Sequence, residues 1–507
     1  MKNSRMMQKI KVIALFVAVF LSMNAKGQLV NSLYYMDNLP QASRLNPARM
    51  PNCNFYISMM NVGTSMFTEL GPQHVFTQDN VVNDTLRMPF YNETLWNDFL
   101  NKLHDPISLN FETEAGVGFG FRAGRGYFHF DLTERNIVNL NLAKDFLTMN
   151  DLGDGVTKDF STLSMNSTVF MQAGMGYARE INPNLNVGLK LKLLKGLAAA
   201  TMNISRAELY TSVENWNFSA DMVGDISFPV QFDTDVNGDL TANDSVLQNI
   251  DFSYVKNYLS PATNFGAAVD FGIEYKVMPQ LYLSASLVDL GKIWWNYEVS
   301  NITAGGNVQF EGVSEEPILY KDDQQVEDYF QNLGDSLLNE LSYGVSHNNF
   351  SSGLAPKLYL GAEYLLNDQI SFGVLSNTSF YKNKTMESVM FSANANLYHF
   401  LTAGAHYGWN WGYANTAGFT FGINIFPLQI YVAADYLPLK YQKVDVTEGN
   451  EQVDLGFAKW DYAPIPVNLN ALSLQVGLNL KFGCRKRYNE PIYKSKYDED
   501  IPGYREL

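Results

Sequence analysis

Residues 233–244 read DTDVNGDLTAND and carry oxygen-bearing side chains at nearly every second position. Asp233, Asp235 and Asn237 stand at positions 1, 3 and 5, Gly238 at 6, and Asp239, Thr241 and Asp244 at 7, 9 and 12. Calcium takes about six to eight oxygen ligands, and this spacing wraps alternate side chains round an ion while the glycine permits a sharp turn. The chemistry is ligation: a Ca2+ ion here would brace a loop rather than react. A solvated Asp/Asn/Gly turn has the same composition, and no clear helix flanks the segment. No other cofactor is expected.

Reactive side chains are otherwise sparse. Six histidines (His74, His104, His129, His347, His399 and His406) are scattered, and Cys53 and Cys484 are the two cysteines. There is no G-x-S-x-G, no H-E-x-x-H and no phosphate-binding P-loop. The glycines of GVGFGF (116–121) alternate as in a strand and lack the strand–turn–helix setting of a nucleotide site. No catalytic residue can be named, and an enzyme is not expected.

The elements that must position these residues announce themselves in LNVGLKLKLL, residues 185–194. Leu185, Val187, Leu189, Leu191 and Leu193 alternate with Asn186, Gly188, Lys190 and Lys192. A period of two is a β-strand with one face apolar and the other polar. Such a strand suits either a soluble sandwich or a membrane barrel. The ends and the composition favour the barrel. A basic start (Lys2, Arg5, Lys9, Lys11), the apolar VIALFVAVFLSM (12–23) and small residues at Ala25 and Gly27 make a secretory signal over 1–27. Loss of its five basic residues takes the formal charge from −16 to −21, which disfavours nucleic acid as a partner. Only 17% of residues are charged against roughly 25% in ordinary domains, and 14% are aromatic.

Alternation recurs in fourteen runs between residues 54 and 482, among them YFHFDLT (127–133), AVDFGIEYK (268–276), KLYLGAEYL (357–365) and LQIYVAADY (428–436). Every second connection is a tight turn: 124–126, 182–184, 278–280, 366–368, 398–400 and 426–427. Most of the others are long, about 62–114, 134–164, 196–263, 288–355 and 437–468. Outer-membrane barrels show this asymmetry of short periplasmic turns and long outer loops. The expected fold is all-β, a transmembrane antiparallel β-barrel of about 14 strands over 53–484. Residues 28–52 precede it as an N-terminal plug, and 485–507 follow as a periplasmic tail. On this reading Asp131, Lys190, Lys192, Asp270, Glu274, Glu363, His406 and Asp435 face the lumen. Cys53 and Cys484 flank the first and last strands, so a disulfide across the closing seam is expected. The segment 322–342 reads as an amphipathic helix within a long outer loop.

The segment QASRLNPARMPN (41–52) carries a resemblance. Its Asn46, Pro47 and Ala48 are similar to the Asn-Pro-Ala segment near the N-terminus of FadL-type long-chain fatty-acid transporters and of related PorV-like barrels of type IX secretion. Residues 267–295 look like the mid-barrel hairpin of these proteins. Gln475, Gly477, Leu480 and Phe482 resemble the signal on final strands of outer-membrane barrels. The resemblance implies a fourteen-stranded barrel in the outer membrane with the N-terminal segment folded inside as a hatch. Arg44 and Arg49 would then meet lumen carboxylates. It also implies passage of a hydrophobic, fatty-acid-like molecule. The second function that fits is a non-transporting barrel subunit of an outer-membrane secretion or assembly complex, with other outer-membrane or periplasmic proteins as partners. The long loops at 196–263 and 288–355 depart from a plain transporter.

Overall fold

The computed structural model describes residues 31–484 except 76–80, 83–84, 87–88, 90–92, 150–151, 214, 237, 244–251, 311–340, 382–383, 398–399, 411–412, 446–452, 455–458, 461 and 468. The expected signal peptide, the first three plug residues, the tail and nearly all of the expected helix at 322–342 lie outside the described residues.

Fourteen antiparallel strands close on themselves. In chain order they are β1 (Phe55–Thr68), β2 (Ile107–Ala123), β3 (Gly126–Leu142), β4 (Ser164–Asn182), β5 (Leu185–Thr211), β6 (Phe265–Met278) and β7 (Leu281–Trp295). Then follow β8 (Lys357–Leu365), β9 (Ile370–Tyr381), β10 (Lys384–Leu397), β11 (Leu401–Asn410), β12 (Tyr413–Ile425), β13 (Leu428–Pro438) and β14 (Ala471–Phe482). The seam is a regular ladder from Phe55 opposite Phe482 to Phe67 opposite Ala471. Each of the fourteen alternating runs lies on one of these strands. Closure removes sheet edges, so every backbone group at membrane depth can be paired within the wall.

The two faces of β5 decide between the sandwich and the barrel. Leu189, Leu191 and Leu193 are 41%, 51% and 60% exposed, whereas Lys190 and Lys192 are 4% and 5% exposed. A water-soluble protein buries the leucines. Here they join an outward belt with Val117, Phe119, Phe121, Met175, Phe271, Ile273, Leu360, Phe372, Phe419 and Val476. Soluble monomers rarely expose contiguous apolar surface beyond a few hundred Å². The belt is a face for hydrocarbon, and the barrel is a transmembrane one. No described helix is long and apolar enough to cross a membrane.

The long-loop side differs from the expectation of loops. β5 spans 27 residues, well beyond the ~9–11 that a bilayer requires. Its distal part pairs with Trp216–Ser227, which pairs with Val299–Phe310, which pairs with Ser342–Ser346. These strands form a sheet standing beyond the membrane section. Above the bilayer neither face meets lipid, so the alternation that reveals a spanning strand fades there. A helix, α1 (Glu93–Lys102), likewise lies within the stretch read as loop and buries Leu95, Phe99 and Leu100.

Candidate functional site

Residues 31–52 fold inside the barrel. Their only regular pieces are short 3₁₀ turns at Asn31–Leu33 and Pro40–Arg44, because Pro40, Pro47 and Pro51 break longer helices. Leu33, Tyr34, Tyr35, Met36, Leu39 and Leu45 are fully buried against inward Val288, Tyr359, Leu375, Tyr431 and Ala433. The segment is therefore a packed plug with an apolar spine.

The Asn46-Pro47-Ala48 turn explains two glycines of the wall. The Ala48 N–H donates to Asn46 Oδ1 at 3.0 Å, closing the turn, while Asn46 Nδ2 donates to Tyr34 Oη at 3.0 Å and to the Ile273 carbonyl at 3.3 Å. Gly188 and Gly272 are opposite each other on β5 and β6. A β-carbon at Gly188 would overlap the Pro47–Ala48 backbone, and one at Gly272 would overlap the Asn46 side chain. The turn thus lies directly on the wall, where only glycine leaves room. Further anchors are Ser286 Oγ donating to the Leu45 carbonyl at 2.7 Å and Gln41 Nε2 donating to Ser58 Oγ at 3.0 Å and Asn479 Oδ1 at 2.8 Å.

Two arginines fasten the plug by charge. Arg44 makes a bidentate pair with Glu114 at 2.7 and 2.9 Å. Arg49 reaches Glu363 at 3.2 Å, Glu274 at 3.3 Å and its neighbour Asp37 at 2.8 Å, with its guanidinium 5.0 Å from the rings of Tyr34 and Tyr35. Planar guanidinium groups suit such forked and stacked contacts. Glu274 and Glu363 were among the carboxylates read from the sequence as arginine partners.

All eight residues read as lumen-facing lie on the inner face. Lys190 pairs with Asp131 at 2.5 Å, and Lys192 with Asp270 at 2.7 Å and Asp289 at 2.6 Å. Nε2 of His406 is 3.3 Å from Asp435, which also accepts the Ser32 N–H of the plug at 3.3 Å. Sequence reading missed Glu112, Glu114, Arg135, Asp289 and Lys357. Arg135 joins Glu112 at 2.5 Å and Asp289 at 2.9 Å, and Lys357 joins Glu112 at 3.2 Å. Extending the β2 and β3 alternation backward and forward would have found Glu112, Glu114 and Arg135. Asp289 was hidden because the β6–β7 register shifts beside it and its φ is +62°.

Three cavities among the described residues measure about 50, 30 and 20 Å³, the scale of a few waters. The 50 Å³ space lies among Ser65, Glu112, Asn377, Met386 and Tyr436. The 30 Å³ space touches Arg44 and Pro47 of the plug, Gly116, Gly118 and Gly176 of the wall, and Val117 and Phe130 from the lipid-facing rows. Beside it β1 carries a bulge: its pairing with β2 jumps from Ser58–Gly118 to Asn61–Gly116, and Met59 and Met60 both point outward.

At the seam, Cys53 and Cys484 stand two residues beyond the last ladder pair. The expected disulfide is a proximity without a bond: both thiols are free. Cys53 is buried beside Tyr127, with Sγ 3.8 Å from its hydroxyl, while Cys484 is exposed. Contact between the two side chains splits their acidities. Cys53 is raised by that contact and by burial, and Cys484 is lowered to about 7 by Cys53, with Lys481 helping.

The loop at 233–244 is a hairpin with Gln231–Thr234 paired to Leu240–Asn243 and Gly238 at φ +84°. The Asp235 carboxylate accepts the Asp239 N–H at 3.0 Å, and Thr241 Oγ1 donates to the Asp233 carbonyl at 3.0 Å. Asn237 and Asp244 lie outside the described residues. Among the described residues no group of three or more His, Cys, Asp or Glu is arranged to hold a metal.

A closed wall with a hydrocarbon belt, a polar lumen and an inserted N-terminal hatch defines a plugged outer-membrane-type barrel. The chain belongs to a family described as being of unknown function, DUF5723, whose model matches residues 47–435. No curated protein matches it. Among solved structures, the Ralstonia pickettii toluene transporter TbuX is similar at 10% identity, with a TM-score of 0.41 over 88% of this chain and 94% of that one. A Pseudomonas aeruginosa FadL homologue is similar at 9% identity, with a TM-score of 0.40 over 88% of this chain and 95% of that one. For the P. putida toluene transporter TodX the identity is 8% and the TM-score 0.39, over 87% and 93%.

Proposed function

We propose that the barrel passes a hydrophobic, fatty-acid-like small molecule across the outer membrane, with the hatch as its gate. Barrel width supports this reading. About eight strands can be filled by their own side chains, whereas larger barrels enclose a cavity or channel. Fourteen strands thus enclose a lumen that needs a separate insert, and this one combines an apolar spine with polar and ionic contacts to the wall. The observation that carries the proposal is the 30 Å³ space beside the β1 bulge. Its lining brings Arg44 and Pro47 of the hatch against three wall glycines and against Val117 and Phe130 of the lipid-facing rows, so a hatch shift would widen it at the wall itself. The structure is then the shut state, since a drug-sized ligand fills roughly 300–1,000 Å³.

Proteoliposomes containing the full chain should take up a labelled fatty acid or alkyl alcohol faster than empty vesicles. Equal rates remove the proposal. The second reading, a non-transporting subunit of a secretion or assembly complex, draws support from the water-sized cavities and the sheet beyond the membrane section. A stoichiometric partner retained in gentle detergent, together with no uptake, would favour it. We also propose that Ca2+ braces the 233–244 hairpin. Calorimetry should register heat with millimolar calcium that Asp233→Asn abolishes, and no heat in the parent chain ends that idea.

A further inference from the structure

Polar side chains interrupt the outward rows of β1–β3. Val117 and Leu132 stand opposite each other on β2 and β3 and are both exposed to lipid. Glu134 and Asn136, two and four residues further along β3, therefore project from the same face, and both are half-buried there. Opposite them on β2 are Ala115 and Thr113, and opposite Thr113 on β1 is Thr64. On the other side β4 places Met171 beside Glu134 and Val169 beside Asn136. None of these neighbours is a cation. Beyond the notch the outward rows turn apolar again, with Phe111 opposite Val138 and Leu109 opposite Leu140, and with Leu109 and Leu142 exposed. The carboxylate thus lies within the apolar surface rather than at its edge. An ionisable group in such a place is costly unless something partners it.

The wall's own contacts leave this notch short of donors. Asn136 Nδ2 donates to Glu134 Oε1 at 2.7 Å and to Thr113 Oγ1 at 3.0 Å, which uses both amide hydrogens. Asn136 Oδ1 has no hydrogen-bond partner. What the notch offers is acceptors: the carboxylate and that amide oxygen. One outward row nearer the short turns, Val117 joins Phe130, Gly116 and Gly118 in lining the 30 Å³ space beside the hatch. We propose that the notch seats the polar head of a hydrophobic solute at the lipid face of the wall, the head being a hydrogen-bond donor such as a hydroxyl, amide or ammonium group. The solute's chain then lies along exposed Val117, Phe119 and Leu132. This deepens the transport role proposed above and rests on it for the solute's identity. The strands whose inner side meets the hatch at that space carry the seat on their outer side, so a solute leaving there is held by its head while its chain enters the bilayer.

The test uses the full chain in phosphatidylcholine nanodiscs, whose choline heads donate no hydrogen bond. The probe is a hexadecanol carrying a benzophenone at its chain end. After irradiation, mass spectrometry should place the cross-links mainly on β2 and β3. Glu134→Ala should lower that labelling at least about tenfold, the scale of a hydrogen bond to a charged acceptor. Glu134→Gln, which keeps the shape and loses the charge, should fall between. Glu134 faces away from the hatch and the lumen ion pairs, so both variants keep the contacts that hold the barrel. The methyl ether of the same probe cannot donate and should label the belt evenly in parent and variants alike. Cross-links of the alcohol spread along the whole belt, equal labelling by alcohol and ether, or a membrane lipid that co-purifies with the parent and is lost from Glu134→Ala would each overturn the proposal. The probe reaches the notch from the bilayer without passing the hatch. Labelling at the notch without uptake would therefore fault the transport reading alone, and uptake with scattered cross-links would fault this inference alone.

Discussion

The lipid face and the lumen face of one wall obey opposite rules. Outside, Leu191, Phe271 and Leu360 are exposed and need only be apolar. Inside, each charge of the hatch site answers a named group, as Arg44 does Glu114 and Lys192 does Asp270 and Asp289. The difference shows where specificity resides. Hydrocarbon accepts any apolar side chain of fitting size, whereas a buried carboxylate needs its own partner in place.

That contrast sets the order of expected effects. Arg49→Ala strips Glu274 and Glu363 of their shared cation inside the barrel, and removing one partner of a buried pair costs about 3–5 kcal/mol. Urea unfolding in lipid should show that loss, and a change below about 1 kcal/mol would mean that water already reaches the site. Leu191→Arg puts a cation on the lipid face, where a midplane position costs about 2–4 kcal/mol. Leu191→Phe should stay within about 1.5 kcal/mol in the same assay. An equal penalty for both would contradict a hydrocarbon surround.

Gly272→Ala tests the close approach of hatch to wall. Its new methyl overlaps Asn46, and such overpacking costs about 1–3 kcal/mol. Limited proteolysis should cut the hatch of this variant sooner than that of the parent, and unchanged protection would place the Asn-Pro-Ala turn elsewhere. The smallest effect concerns the seam. Cys484 is drawn down to about 7 by its contact with Cys53, so its reactive thiolate should accumulate as pH rises through that value. Alkylation of reduced protein should be half-maximal near pH 7, and Cys53→Ser should move the midpoint up toward the usual thiol range. A parent midpoint near that of an ordinary thiol would separate the two side chains. We propose that a thiol–disulfide oxidant joins the pair, which mass spectrometry of the alkylated, unreduced chain can show.

The membrane section was legible because lipid and lumen impose opposite demands on successive residues. Leu189-Lys190-Leu191-Lys192 records both in four positions. The hatch was legible only through the family resemblance carried by Asn46-Pro47-Ala48, and the pairing of Arg44 and Arg49 with lumen carboxylates followed from it rather than pointing to it. The partner of Arg44 was not, because Glu114 sits where the β2 run loses its glycines and phenylalanines. Asp289 was hidden by a bulge that breaks the count of two. The outer sheet escaped for a different reason: Trp216–Ser227 and Val299–Phe310 meet no bilayer, so their pattern follows packing against each other rather than a fixed alternation.

Spin labels placed singly at 187, 189, 191 and 193 of β5 test the membrane-spanning wall most directly. In lipid vesicles the nitroxides should collide freely with dissolved oxygen and be shielded from a water-soluble nickel chelate, most strongly near the middle of the series. Free access of the chelate at all four positions would put Val187 and the three leucines in water or against another protein surface, and the plugged membrane barrel would be wrong.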